Sequence, residues 1–220
     1  MNAQLPQDRS GRSLTDYPRP SVAVDAAVLT LDSELGLVVL QVRRPNAPGW
    51  ALPGTFLHEG ETLAVAVGRA LEDKANVRGL QPRQLHVFDD PTRDDRGWVL
   101  SVAHVDVVQP ERLQTRFANR TRLVSIDSVG RLPYDHPAII DLAVGYLRGR
   151  YAATPDPDRL LGDEFTIRQL HLAHEAVAGH PLQRDWFRRT MEPQLTATGE
   201  MSTGGRGRPA ELFRRSPELR

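Results

Sequence analysis

The period of apolar and polar positions changes along the chain, and each change marks an element. From Ser21 the run VAVDAAVLTL is β in character, and after Asp32-Ser33-Glu34 the run LGLVVLQVRR repeats it, so two strands joined by a polar turn are predicted. Further on, Leu63, Val67, Ala70 and Leu71 recur at helical spacing and predict an amphipathic helix. LHVFDD and the alternating stretch from Trp98 to Val108 read as strands either side of the turn PTRDDRG, and Thr121 to Val129 as another short strand. Leu132-Pro133-Tyr134-Asp135-His136-Pro137 then caps a helix from about Ala138 to Arg150, with Ile139, Leu142, Ala143 and Tyr146 on its apolar face. His136 is read as a capping or packing histidine, since no other histidine or acid stands at ligand spacing from it.

Tyr151 to Gly162 breaks this regularity. It is proline-rich, polar and non-periodic, the signature of a linker, and it separates a first domain over 20–150 from a second over 163–215, with 1–19 as a flexible arm. In the second domain Thr166, with Gln169 three residues on, forms a capping box for the helix IRQLHLAHEAVAG, which turns Ile167, Leu170, Ala173 and Val177 inward and stops at Gly179. His180-Pro181 makes the turn into LQRDWFRRTME, roughly Leu182 to Glu192, where Phe187 and Met191 face a core and Arg184, Arg188 and Arg189 do not. LTATGE, MSTGGRGRPA and ELFRRS read as a strand, a Gly- and Arg-rich hairpin and a return strand. Helix–turn–helix followed by a basic β-hairpin is a winged helix.

Charge changes this picture through its distribution. The totals cancel, 28 basic residues against 28 acidic, which does not exclude nucleic acid. From Arg184 to Arg215, however, seven arginines face four acids, whereas 156–175 carries five acids and two bases. The excess positive charge therefore sits on the second helix and the wing. There, Gly205 and its neighbours let backbone amides approach phosphates, and Arg206 and Arg208 can reach a backbone or minor groove. Double-stranded DNA is the expected partner, with protein contact the other use of such a wing; no RNP-like aromatic motif points to RNA. The absence of cysteine excludes a disulfide framework and a thiolate zinc site. The first twenty residues contain no apolar signal-peptide core, and no apolar run is long enough for a membrane span, so a soluble cytoplasmic protein is expected.

The stretch around which the first domain is organised is WALPGTFLHEGETLAVAVGRALEDKANV, Trp50 to Val77, which resembles a Nudix box. Registering Glu61 on the box's first glutamate places Arg69 on its arginine and Leu71 and Val77 on its aliphatics. Thr55, Ala70, Asp73, Lys74 and Asn76 depart from it. Positions 70, 73 and 74 share one helix face. In a working Nudix hydrolase that face carries the carboxylates for Mg2+, a cation wanting oxygen ligands. Here it offers a methyl, one carboxylate and Lys74, the chain's single lysine; Glu72 lies about 100° away and cannot substitute. The expectation is a site that holds a Nudix-type ligand without cutting it. It has no catalytic residues, no metal ligands and no required cofactor, Mg2+ binding is not expected, and Lys74 is free to meet a pyrophosphate. Arg43 and Arg44, at a strand end beside a Gly/Pro loop, suit phosphate, although a solvated strand end accounts for them equally well. Arg93-Asp94-x-Arg96-Gly97 looks similar to the corresponding loop of hydrolases and regulators acting on ADP-ribose, while local chemistry alone makes it a hairpin loop.

A Nudix-like domain followed by this winged helix resembles the Nudix-related transcriptional regulator family, NrtR, from about Val22 to Arg215. The most specific stretches are Leu52–Val77, Leu132–His136, Glu164–Leu170, Phe187-Arg188-Arg189 and Thr203–Ala210. The resemblance implies an α/β (α+β) fold, a mixed-sheet α/β/α sandwich followed by a winged helix-turn-helix. It also implies a homodimer that binds palindromic operators, represses genes of NAD biosynthesis or salvage, and responds to ADP-ribose or a related NAD metabolite. The implied effector residues are Arg43, Arg44, Trp50, Glu61, Lys74, Arg93 and Arg96. The implied DNA-binding residues are Thr166, Arg168, Gln183, Arg184, Arg188, Arg189, Thr203, Gly205, Arg206 and Arg208. Some family members retain hydrolase activity, so a slow hydrolase of ADP-ribose-type nucleoside diphosphates, using Glu61, Asp73 and one distant acid, is the alternative.

Overall fold

The structure, a computed structural model, describes residues 7–45, 47–202 and 209–216. β1 (Ser21–Asp32) is the spine of the first half. Its outer end pairs antiparallel with β2 (Gly36–Arg43), its inner end with β4 (Gly54–Phe56), and its length runs parallel to β6 (Val99–Val107). β3 (Trp50–Ala51) and β7 (Thr121–Ser125) pair with β2, and β5 (Arg83–Phe88) closes the far edge on β6. A strand hemmed in on both sides and covered on both faces must be apolar at nearly every position, and Val24 to Thr30 are all buried.

The pleat divides these side chains between two layers. Val24, Ala26 and Val28 face α1 (Leu63–Ala75) and pack on Ala66, Val67 and Leu71. Ala27 and Leu29 face α2 (His136–Tyr151) and pack with Ile139, Ile140, Ala143 and Leu147. Asp25 has the parity of Ala27 and Leu29, so a carboxylate lies at the α2 end of that apolar face. The helices start and stop where local chemistry dictates. Thr62 caps α1 by accepting from Val65 N–H, and Asn76 ends it in the left-handed region at φ +56°. Asn is the residue after glycine that tolerates this conformation best, so the missing glycine of the box costs the fold little.

The second half contains α3 (Ile167–Ala178), α4 (Arg184–Met191), β8 (Leu195–Met201) and β9 (Glu211–Arg215). The Thr166–Gln169 capping box forms in both directions, and Gly179 ends α3 at φ +79°. Phe165 bridges antiparallel to Phe213 and so lays a one-residue third strand against β9. The core is small: Phe165, Leu170, Phe187 and Met191, with Leu161, Leu182, Leu195 and Phe213 around them. A further side is closed by α2. Val177 of α3 belongs to the same buried cluster as Ile139 and Leu147, and Arg148 donates from Nε to the Val177 carbonyl at 3.0 Å. Residues 151–162, the stretch that reads as a linker, fold around a completely buried Asp156, with Leu160 in the α2-side core. No helix among the described residues is long and apolar enough to cross a membrane.

Candidate functional site

The α2-face end of β1 opens into a cleft of about 410 Å³ between the 43–56 segment, α1, the 93–96 loop and the start of α2. Its floor is built on Asp25. One carboxylate oxygen accepts from Ser101 Oγ at 2.5 Å, and the other lies 3.3 Å from His136 Nε2. His136 Nδ1 accepts the Leu52 N–H at 3.1 Å, which places the imidazole proton on Nε2, facing the carboxylate. Burial pushes Asp25 up, but the hydrogen bonds from His136 and Ser101, with the nearby Arg93, outweigh it and hold the carboxyl below its ordinary value. A Cβ on Gly54 would stand 2.0 Å from Asp25 Oδ1, so only glycine fits there.

Lys74 reaches over this floor and donates to the Gly54 carbonyl. Burial, and then the neighbouring Arg69, lower its pKa, with Asp25 and Asp73 opposing. Arg93, whose side chain is only 3% exposed, donates from Nε to Asp135 at 2.6 Å. Arg96 is held by both oxygens of Asp94, at 2.8 and 2.6 Å, and its guanidinium lies 5.2 Å from the ring centroids of both Phe56 and Tyr134. Arg43 and Arg44 line the mouth with no carboxylate partner among the described residues. Three basic groups in the cleft are thus balanced by Asp25, Asp94 and Asp135, and two are not. Such a surface attracts a doubly charged anion.

Five of the seven effector residues expected from the sequence, Arg43, Arg44, Lys74, Arg93 and Arg96, come together in this cleft. Trp50 and Glu61 do not line it. Trp50 packs against the α2-side core with the guanidinium of Arg122 over its ring at 4.5 Å. Glu61 forms a two-pronged pair with Arg69 at 2.8 Å, which holds its carboxyl down at about 2 and staples the preceding loop to α1. Asp25, Gly54, Tyr134 and His136 were not singled out as site residues. The signal for Asp25 was visible: it is the one charge inside VAVDAAVLTL. The divalent cation implied by a Nudix box finds no fit here. Ala70 is buried, Asp73 points to solvent and Lys74 brings an ammonium. Among the described residues no three His, Asp or Glu side chains converge as ligands.

The second candidate surface is the outer side of α4. Arg184 and Arg189 are exposed without acidic partners among the described residues, while Arg188 is paired with Glu192 at 2.9 Å. Arg168 is exposed on α3, facing the same groove as Arg184 and Arg188. Thr166 and Gln183 cap α3 and α4 with their side chains. Thr203, Gly205, Arg206 and Arg208 lie outside the described residues.

Comparison with known proteins turns these two surfaces into one architecture. The NUDIX domain model matches residues 20–142, and the model of the NrtR DNA-binding winged helix domain matches residues 158–215. NrtR of Shewanella oneidensis, solved in complex with a 27mer DNA, is 32% identical with a TM-score of 0.74, over 90% of this chain and 94% of its own. The chain belongs to the NrtR family. The Nudix domain of that NrtR has also been solved with ADP ribose; it is 28% identical, with a TM-score of 0.54, over 63% of this chain and 95% of its own. The ADPR responsive transcriptional repressor NtrR of Acinetobacter baylyi is 28% identical over 91% of this chain and 84% of its own length. An ADP-ribose pyrophosphatase of Methanocaldococcus jannaschii is 31% identical over 56% of this chain and 73% of its own. NrtR architecture explains why two dissimilar halves occur in this order: a small-molecule cleft precedes a reading head.

Proposed function

We propose that this NrtR-family chain is a transcriptional repressor that senses ADP-ribose or a related NAD metabolite, and that its cleft holds the effector without cleaving it. One observation carries this reading: five cationic side chains converge in the cleft, and one of them, Lys74, stands where the Nudix box carries a carboxylate. Arg43 and Arg44 supply unpaired guanidinium forks for a pyrophosphate, and Lys74 adds a point charge where a metal would otherwise stand. Phe56 and Tyr134, already in cation–π contact with Arg96, offer faces to a planar base. Glu61 serves the frame through Arg69, and Asp73 is exposed and does not line the cleft, which leaves a hydrolase without a placed base.

In this reading residues 20–150 are the effector half, 163–215 the DNA-binding half and 151–162 their connection. Two heads of a homodimer enter successive major grooves of a palindromic operator about 34 Å apart. Arg184 and Arg189 reach phosphates directly, and Arg188 does so by exchanging Glu192 for DNA. The genes controlled, following the family resemblance, are those of NAD biosynthesis or salvage. A gel shift against the chain's own upstream region and NAD-gene promoters, with and without ADP-ribose, tests the proposal. A retarded band that ADP-ribose abolishes is expected, with no AMP formed in Mg2+ or Mn2+. Rapid AMP release without any shift would instead make the protein a hydrolase, and ADP-ribose binding without DNA binding a sensor with a protein partner.

A further inference from the structure

The chain order α2, Phe165 strand, α3, α4, β8, β9 is that of a complete winged helix, helix–strand–helix–helix–strand–strand, provided that α2 is counted as its first helix. The reading head therefore has no first helix of its own among the described residues; it uses the last helix of the sandwich. The N-terminal end of the same helix is a wall of the effector cleft. Tyr134, Asp135 and His136 lie there in a row: one under Arg96, one on Arg93, one on Asp25. Tyr134 holds a left-handed φ of +52°, a conformation that bulky residues adopt only when their surroundings impose it.

At the other end of α2 the contacts are equally specific. Tyr151, its last residue, donates from its hydroxyl to Asp156 at 2.5 Å. Asp156 is fully buried, at φ +42°, and ties α2 to α3 and β9 of the head. Its carboxylate accepts from Leu160 N–H, Leu161 N–H and Arg215 of β9, at 2.8, 3.0 and 2.5 Å. Its own N–H donates to His174 Nε2 of α3 at 3.3 Å. Arg215 also donates to the Asp156 carbonyl at 2.8 Å and lies over the Phe165 ring. The rings of Tyr151, His174 and Phe187 pack in sequence, tilted and then edge-to-face with centroids 4.9 and 5.1 Å apart, from α2 through α3 to α4. Beside this column lies a cavity of about 400 Å³, bordered by Arg148, Val177, Trp186 and Met191, which gives α4 room to move against α2.

We propose that α2 is the rod through which the effector cleft controls the reading head, with Tyr134–His136 as its input and the Tyr151–Asp156–Arg215 clamp as its output. The inference rests on the reading of the cleft as an ADP-ribose site. A ligand seated against Pro133, Tyr134 and His136 shifts the start of α2. Because a helix is stiff along its axis, Tyr151 shifts with it. Asp156, which has no water to compensate a lost partner, must carry Arg215 and His174 along or release them.

The test uses the full chain, ADP-ribose, and a duplex selected by the wild-type protein from a randomised pool. In the wild type, ADP-ribose weakens duplex binding by about 5- to 150-fold, the usual span of allosteric coupling. In Tyr151→Phe each ligand alone binds as before, while this factor falls towards one. If the wild type shows the factor and Tyr151→Phe keeps it in full, α2 is not the route. If the wild type binds no duplex or ignores ADP-ribose, the functional reading fails first. Hydrogen exchange on the wild type alone decides the case where the variant does not fold. ADP-ribose must alter protection at 151–162 and 211–215, far from the cleft. Changes confined to 43–56, 93–96 and 133–136 while the duplex dissociates would overturn the proposal.

Discussion

The cleft and the reading head handle the same problem, binding a polyanion, in opposite ways. In the cleft the two inner arginines are fixed before any ligand arrives, Arg93 by Asp135 and Arg96 by Asp94 and two aromatic faces, above the Asp25–His136–Ser101 floor. Of the cleft arginines, only Arg43 and Arg44 at the mouth are left unpaired among the described residues. On α4, Arg184 and Arg189 hang in solvent, and a core of four buried side chains holds the helix. Preorganised cations give selectivity for one small molecule, because the ordering cost is met during folding. Loose cations suit DNA, whose phosphates recur along a groove and give affinity with little sequence information. The contrast extends to stability. The sandwich has apolar layers on both sides of its sheet, whereas the head leans on α2.

This contrast breaks most visibly if the head is emptied. Phe187→Ala removes the central ring of a four-residue core and should cost about 3–5 kcal/mol. Duplex binding is lost in a fluorescence titration, and calorimetry still detects ADP-ribose in the cleft. Loss of both would mean that the two halves unfold as one. Next comes the reverse lesion. Gly54→Ala drives a methyl into the Asp25 carboxylate and the Val24 carbonyl, an overpacking that costs about 1–3 kcal/mol. It should lower ADP-ribose affinity about tenfold or more while the unliganded protein still binds duplex.

Acid sharpens the comparison further. Burial, against the pull of Asp156, keeps His174 neutral and its pKa down at about 4, whereas an unfolded histidine titrates near 6.5. Between those values the unfolded chain binds the extra proton, so stability falls as pH falls, by about 2 kcal/mol from pH 7 to pH 5. Urea denaturation at the two pH values measures this. His174→Phe should be less stable at pH 7 and flatter with pH. The smallest effect belongs to a single loose arginine. Arg184→Ala should weaken duplex binding uniformly across sequences and reduce the salt dependence by about one ion, leaving ADP-ribose affinity unchanged.

Much of this was legible in the sequence because it is local. The strand from Ser21, the Thr166–Gln169 cap, the Gly179 stop and the sharing of one helix face by Ala70, Asp73 and Lys74 all follow from short-range rules. What was not legible depends on contacts far apart along the chain. Asp25 meets His136 and Gly54 through sheet pairing and helix docking, none of which leaves a pattern in any short window. The two-residue β3 and three-residue β4 are too short for a period to show. The strand expected over 121–129 ends at Ser125, where the chain turns into a single 3₁₀ turn capped by Ser125 itself. Proline and polar spacing suggested a linker at 151–162. A buried aspartate is invisible to composition when its partners, Tyr151, His174 and Arg215, lie on three different elements.

In the proposed reading a cation-lined pocket senses ADP-ribose without metal and without turnover, and thereby frees DNA. Titrating ADP-ribose, in the presence of EDTA, into the complex with a labelled duplex tests it in one vessel, with anisotropy following the DNA and chromatography the nucleotide. The duplex should dissociate in a saturable manner while ADP-ribose is recovered intact. A duplex that stays bound at saturating ADP-ribose, or release that occurs only when Mg2+ is restored and AMP accumulates, would contradict it.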